Sequence, residues 1–195
     1  MNIEDFFNEL DDQWPDIEDP PITLKVIGST ALFLQTRYQR GTKDSDVIET
    51  EQLDAEVREQ LRVLAGPGSK MHRRHRIYLD VVSKGIPLLP PEPQWNHFDL
   101  RLNNFTIQLL DIADVVVSKL KRFNTNDQDD IRAMVEDGKV DHERMVERFK
   151  EVIERYKFDG RAQHLERMAD RLNMAERDWF LVDETLFPEL VDLNY

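Results

Sequence analysis

Three short strand-like runs, at 24–27, 45–48 and 77–82, constrain the fold of this chain more than any other feature. Each is too short for a stable helix and suits a buried strand. Between them lie segments of helical length. The first, 30–38, can be capped by Ser29. The second, 51–65, carries Leu53, Val57, Leu61 and Leu64 at helical spacing until Gly66-Pro67-Gly68 stops the pattern. Strand, helix, strand, helix, strand in that order predicts an α/β core.

The flanking sequence extends this plan. Residues 3–12 predict a short amphipathic helix with Ile3, Phe6, Phe7 and Leu10 on one side, and Asp19-Pro20-Pro21 ends any helix there. A proline-rich link (Pro87, Pro90, Pro91, Pro93) precedes two apolar runs, 98–102 and 105–110, which flank Asn103-Asn104 as a hairpin. Beyond 111 the chain reads as helical near 111–123, 127–137, 141–157 and 161–178, with Gly138 and Gly160 as separators. The expected division is a core at 1–110 with an acidic N-terminal arm, and a helical region at 111–195. The tail (Trp179, Phe180, Leu181, Leu186, Phe187, Leu190) is expected to dock back on the body.

Composition narrows the function classes. The 195 residues carry 39 Asp and Glu against 26 Lys and Arg, a formal charge of −13. Eight carboxylates lie within residues 1–24, which hold no Lys or Arg (Glu4, Asp5, Glu9, Asp11, Asp12, Asp16, Glu18, Asp19). Such a balance argues against broad DNA coating but leaves room for a local basic channel. The absence of Cys removes disulfides, thiolate nucleophiles and thiolate metal sites, and fits a reducing cytosol. No apolar stretch approaches the ~18 residues of a membrane helix, and the acidic start is not that of a signal peptide. The expected setting is cytoplasmic, with no membrane partner.

Chemistry concentrates at three places. Gly28-Ser29 stands at the end of the first strand, Asp44-Ser45-Asp46 enters the second, and Asp80 lies inside the third. Residues two apart on a strand face the same side, so Asp44 and Asp46 project together. Bare carboxylates on an apolar sheet are costly unless a cation neutralises them. Asp80 reads either as a third ligand or as a strand-end Asp paired with an arginine. Oxygen-only ligands favour Mg²⁺ or Mn²⁺. Gly28 permits close approach of a phosphate, and the amides of Ser29 and Thr30 open a helix whose positive end attracts anions.

The run Val26-Ile27-Gly28-Ser29-Thr30-Ala31-Leu32, followed by Arg40-Gly41-Thr42-Lys43-Asp44-Ser45-Asp46-Val47, resembles the DNA polymerase beta-like nucleotidyltransferase superfamily. The Arg-x-Thr-x-Asp-x-Asp form, with Lys119-Leu120, Arg122 and then Asp127 and Asp130 downstream, looks closest to the AbiEii-type branch, which includes toxins of toxin–antitoxin systems. The resemblance covers roughly 24–135. It implies an α/β (α+β) nucleotidyltransferase fold, a mixed sheet with flanking helices, followed by a mainly helical C-terminal part. It implies that Gly28, Ser29, Thr30 and Lys119 bind an NTP donor. It further implies that Asp44, Asp46 and Asp80 hold Mg²⁺ or Mn²⁺ and carry catalysis, and that Asp127 or Asp130 forms a last motif. Arg40 and Lys43 contact phosphate on this reading, or balance the nearby carboxylates. The implied reaction moves a nucleoside monophosphate to an acceptor hydroxyl, with RNA as a candidate acceptor and a cognate antitoxin as a candidate partner. The alternative is a catalytically silent module of the same fold that binds nucleotide or a partner.

Other signals stay open. The basic run 70–76 reads equally as a phosphate-contacting edge or as a solvated loop. His72 and His75 have no metal-ligand spacing. The alternating Glu and Arg of 141–178 read as a salt-bridged exposed face.

Overall fold

A computed structural model describes residues 3–15 and 20–191, the side chain of Val191 excepted. Asp16, Glu18 and Asp19 of the acidic arm, and the end of the tail at 192–195, lie outside the described residues. The chain divides into two compact units: residues 1–86 with 95–110, and 87–94 with 111–195. The proline-rich link therefore belongs to the second unit.

The first unit is built on a five-stranded mixed sheet. Its strands are β1 (Ile22–Val26), β2 (Asp44–Ile48), β3 (Tyr78–Val82), β4 (Trp95–Phe98) and β5 (Phe105–Leu110), in the order β3-β2-β1-β5-β4. β2 runs antiparallel to β1 and parallel to β3, while β1 and β5 run parallel. Alternation in β1 buries Ile22, Leu24 and Val26, as a strand with one covered face requires.

The helices of this unit are α1 (Ile3–Gln13), α2 (Gly28–Gln35), α3 (Ala55–Ala65) and α4 (Lys70–His75). α1 buries Ile3, Phe6, Phe7 and Leu10, the face that its sequence predicts. Asp11 lies buried on the same helix and accepts hydrogen bonds from the backbone amides of Asn103 and Asn104, pinning α1 to the β4–β5 connection. α3 starts later than the apolar periodicity suggests, because the Asp54 carboxylate caps the amides of Glu56 and Val57. The basic run 70–76 is a helix instead of a loop. Ser69 caps it, and Arg74 and His75 both engage Glu9 of α1.

The second unit is helical: α5 (Ile112–Lys119), α6 (Thr125–Glu136), α7 (His142–Tyr156), α8 (Leu165–Ala175) and a short α9 (Pro188–Val191). A 3₁₀ turn (Ala162–His164) leads into α8, and a π-helical turn (Glu176–Phe180) leaves it, so the single helix expected over 161–178 has three parts. α6 begins with a reciprocal capping box between Asn124 and Asp127. Arg148 departs from the salt-bridged exposed face expected of α7. It is buried, pairs in two-pronged fashion with Asp114 of α5, and donates to the Glu92 carbonyl of the proline-rich segment. The Asp114 carboxylate also accepts from the Gln94 amide. One buried ion pair thus ties α5, α7 and the segment 87–94 together. In the tail, the Phe187 ring meets Phe149 edge-on at 5.1 Å, as docking requires, while Leu181 and Leu186 stay exposed. No described helix is long and apolar enough to cross a membrane.

Candidate functional site

β1 ends at Val26, and the chain turns through Gly28 into α2. Gly28 has φ +66°, a left-handed conformation that a side chain disfavours, and a Cβ there would lie 3.4 Å from Asp46 Oδ2. Ile27 stands at the N-cap of α2, so the cap position offers no side-chain oxygen to the first amides of the helix. A backbone bond from the Ile27 amide to the Asp46 carbonyl, 2.9 Å, brings this turn against β2.

Hydroxyls and a guanidinium join the two motifs. Thr30 is buried and donates to the Asp44 carbonyl at 3.2 Å, so its side chain is spent on the fold and its amide is the group it can offer a ligand. Thr42 donates to the Asp44 carboxylate at 3.1 Å. Arg40 bridges the Ser29 hydroxyl (2.7 Å) and the Gly41 carbonyl (2.9 Å), fastening the loop before β2 to the start of α2. Beside Arg40, an open cleft of about 610 Å³ is lined by Phe33, Leu34, Thr36 and Gln39. The side chain of Lys43 is exposed.

The register of β2 on β3 decides where the third carboxylate falls. Asp46 is the direct partner of Asp80, and Asp44 is the partner of Tyr78. Partners on neighbouring strands share a face, and so do residues two apart on one strand. Asp44, Asp46, Tyr78 and Asp80 therefore project from one face of the sheet. The charge environment agrees: burial lifts the Tyr78 phenol above its ordinary value, and Asp44, Asp80 and Asp46, in that order, lift it further. Sequence reasoning missed Tyr78, although its place two residues before Asp80 on a strand carried the signal.

Asp44 and Asp80 are exposed, and neither forms an ion pair with a described residue. Two oxygen donors without a counterion, beside a third on the same face, suit a hard divalent cation better than a lysine or arginine. Among the described residues, no three His, Cys, Asp or Glu side chains already stand close enough to enclose a metal ion. That is compatible with Mg²⁺, which is usually held through one or two carboxylates with substrate phosphates and water completing the shell.

Lys119, Asp127 and Asp130 belong to the second unit. The Lys119 ammonium is buried 3.1 Å from Asp127 and 2.8 Å from Asp130. Arg122 reaches Asp127 from the surface at 2.7 Å. Burial raises the Asp127 carboxyl, but hydrogen bonds and charge from Arg122 and Lys119 outweigh it and hold the group below its ordinary value. The three residues expected downstream of the core thus form one buried ion-pair cluster.

No curated protein and no solved structure matches the chain. A family model described as a nucleotidyltransferase of unknown function (DUF6036) matches residues 2–178, nearly the whole length, and the chain belongs to that family.

Proposed function

We propose that the first unit binds a nucleoside triphosphate with a divalent cation and transfers its nucleoside monophosphate to an acceptor hydroxyl. The observation that carries this reading is the shared face of Asp44, Asp46 and Asp80 beside the left-handed Gly28 turn. The amides of Ser29 and Thr30, at the positive end of α2, receive the donor's phosphates. Arg40 and Lys43 add positive charge next to them. Asp44 and Asp46 hold the cation, and Asp80 completes the set and takes the proton of the acceptor hydroxyl. The new bond joins the acceptor oxygen to the α-phosphorus, the α–β bridging bond breaks, and pyrophosphate leaves with its electron pair. Bound Mg²⁺ or Mn²⁺ supplies charge stabilisation for the attacking and leaving oxygens.

The AbiEii-type resemblance supports RNA as the acceptor, and a toxin role restrained by a cognate antitoxin. Calorimetry with each of the four NTPs, with and without Mg²⁺, tests the site itself. Mg²⁺-dependent binding that is lost in Asp46→Asn is expected. No metal-dependent binding to any NTP overturns the reading, whereas binding without product when an acceptor is supplied favours the silent module.

A further inference from the structure

In the second unit, α8 separates its charges by face. Glu166, Asp170 and Asn173 line a groove with Thr185, Leu186 and Phe187 of the tail segment. Arg167 and Arg171 occupy a different face of the same helix, and His164, the last residue of the 3₁₀ turn, immediately precedes it. Arg171 on that face donates to the carbonyls of Leu120 and Lys121 at the end of α5, and its guanidinium lies 5.5 Å from the centre of the Phe123 ring. These bonds bring Lys121 to the basic face of α8. Arg161 stacks 4.4 Å over Tyr156 and pairs with Asp159.

These basic side chains act on one another. Burial lowers His164 first, and the charges of Lys121, Arg167 and Arg171 lower it further. Lys121 is likewise lowered by burial and then by Arg161. Arg171 is lowered by burial and then by Arg167, with Asp127 opposing. Arg167 is exposed and makes no ion pair with a described residue. Gathering like charges costs free energy that an incoming polyanion recovers. Ahead of Asp159, Gly160 and Arg161 in sequence, the tight turn after α7 presents Phe158, 92% exposed, the most exposed large apolar side chain among the described residues. The Lys157 ammonium lies 5.3 Å from the centre of the Phe158 ring, so an exposed aromatic surface and a cation stand together, the combination that single-stranded nucleic acids use, one for base stacking and the other for phosphates.

We propose that this face of the second unit binds a single-stranded polynucleotide, with Lys121, Arg167 and Arg171 towards the phosphates and Phe158 stacked on a base. The acidic balance of the whole chain makes the patch local and keeps binding dependent on these residues.

Fluorescence anisotropy with a labelled single-stranded oligouridylate, without NTP or divalent ion, tests the site. Arg167→Glu is expected to weaken binding about tenfold and to reduce the salt slope by about 0.7 for each phosphate that the variant no longer neutralises. Arg132→Glu, the same charge change on α6, is expected to alter affinity less than about twofold. Phe158→Ser is expected to weaken binding by about fivefold or more with the salt slope unchanged. Because neither NTP nor divalent ion is present, failure of transfer and failure of strand binding are read apart. The proposal is overturned if the parent does not bind at low salt, or if Arg132→Glu is as damaging as Arg167→Glu. It is equally overturned if Phe158→Ser binds as the parent does.

Discussion

Asp44 and Asp80 stand exposed on neighbouring strands without an ion-pair partner among the described residues, and such carboxylates repel one another until a cation arrives. Asp44→Asn is therefore expected to leave the metal-free melting temperature level or slightly higher. Addition of Mg²⁺ at about ten times its dissociation constant should raise the parent's melting temperature by about 3–5 °C, and the variant's by much less. A variant stabilised by Mg²⁺ as much as the parent would remove Asp44 from the ligand set. Gly28 makes a separate prediction: a methyl group at φ +66° is strained and would rest against Asp46. Gly28→Ala should cost about 1–2 kcal/mol in denaturant unfolding and weaken NTP binding. At this scale the carboxylates were legible because the two-residue period of a strand fixes their side. The guanidinium bridge from Arg40 to Ser29 was not, because it depends on how a loop closes.

Among the elements, buried ion pairs do the fastening. Lys119 holds Asp127 and Asp130, both fully buried, so Lys119→Met would leave two carboxylates in the interior without their buried cation. The expected loss is about 3–5 kcal/mol in a denaturation curve, and the double variant Lys119→Met/Asp130→Asn should recover part of it. Equal stability of Lys119→Met and the parent would contradict this account of the cluster. Between α1 and α4 the Glu9 carboxyl is held below its ordinary 4.5, chiefly by its hydrogen bond to His75, with Arg74 adding to it against burial. A carboxyl lowered by folding contributes stability that is present above its unfolded value and lost as pH falls through the folded one. Glu9→Gln should therefore cost about 1–2 kcal/mol near pH 6, and the cost should shrink as pH falls below 4.5, in urea unfolding across pH. The helical reading of α1 came directly from Ile3, Phe6, Phe7 and Leu10. Arg148 was misread because a charged residue on an amphipathic helix reads as solvated until its partner, Asp114, is placed 34 residues away by the fold.

For the whole molecule, alternation of short strands and helices over 24–83 was enough to specify an α/β core, since each element's period is written in its own residues. Strand order was less legible: the pairing of β1 with β5 joins residues some 80 apart, and local pattern carries no record of such partners. The proline-rich segment 87–94 likewise reads as a link within the 1–110 core, yet its carbonyls and amides are claimed by Arg148, Arg155 and Asp114 of the second unit. The candidate site sits on the legible part, which is why its residues could be named from sequence. The central claim is that Asp44, Asp46 and Asp80 support nucleotidyl transfer. Its most direct test is incubation of the purified protein with each α-³²P-labelled NTP, Mg²⁺ and total RNA, resolved on a gel. The account predicts Mg²⁺-dependent label on RNA from at least one NTP and its loss in Asp44→Asn; labelling that persists undiminished in that variant would contradict it.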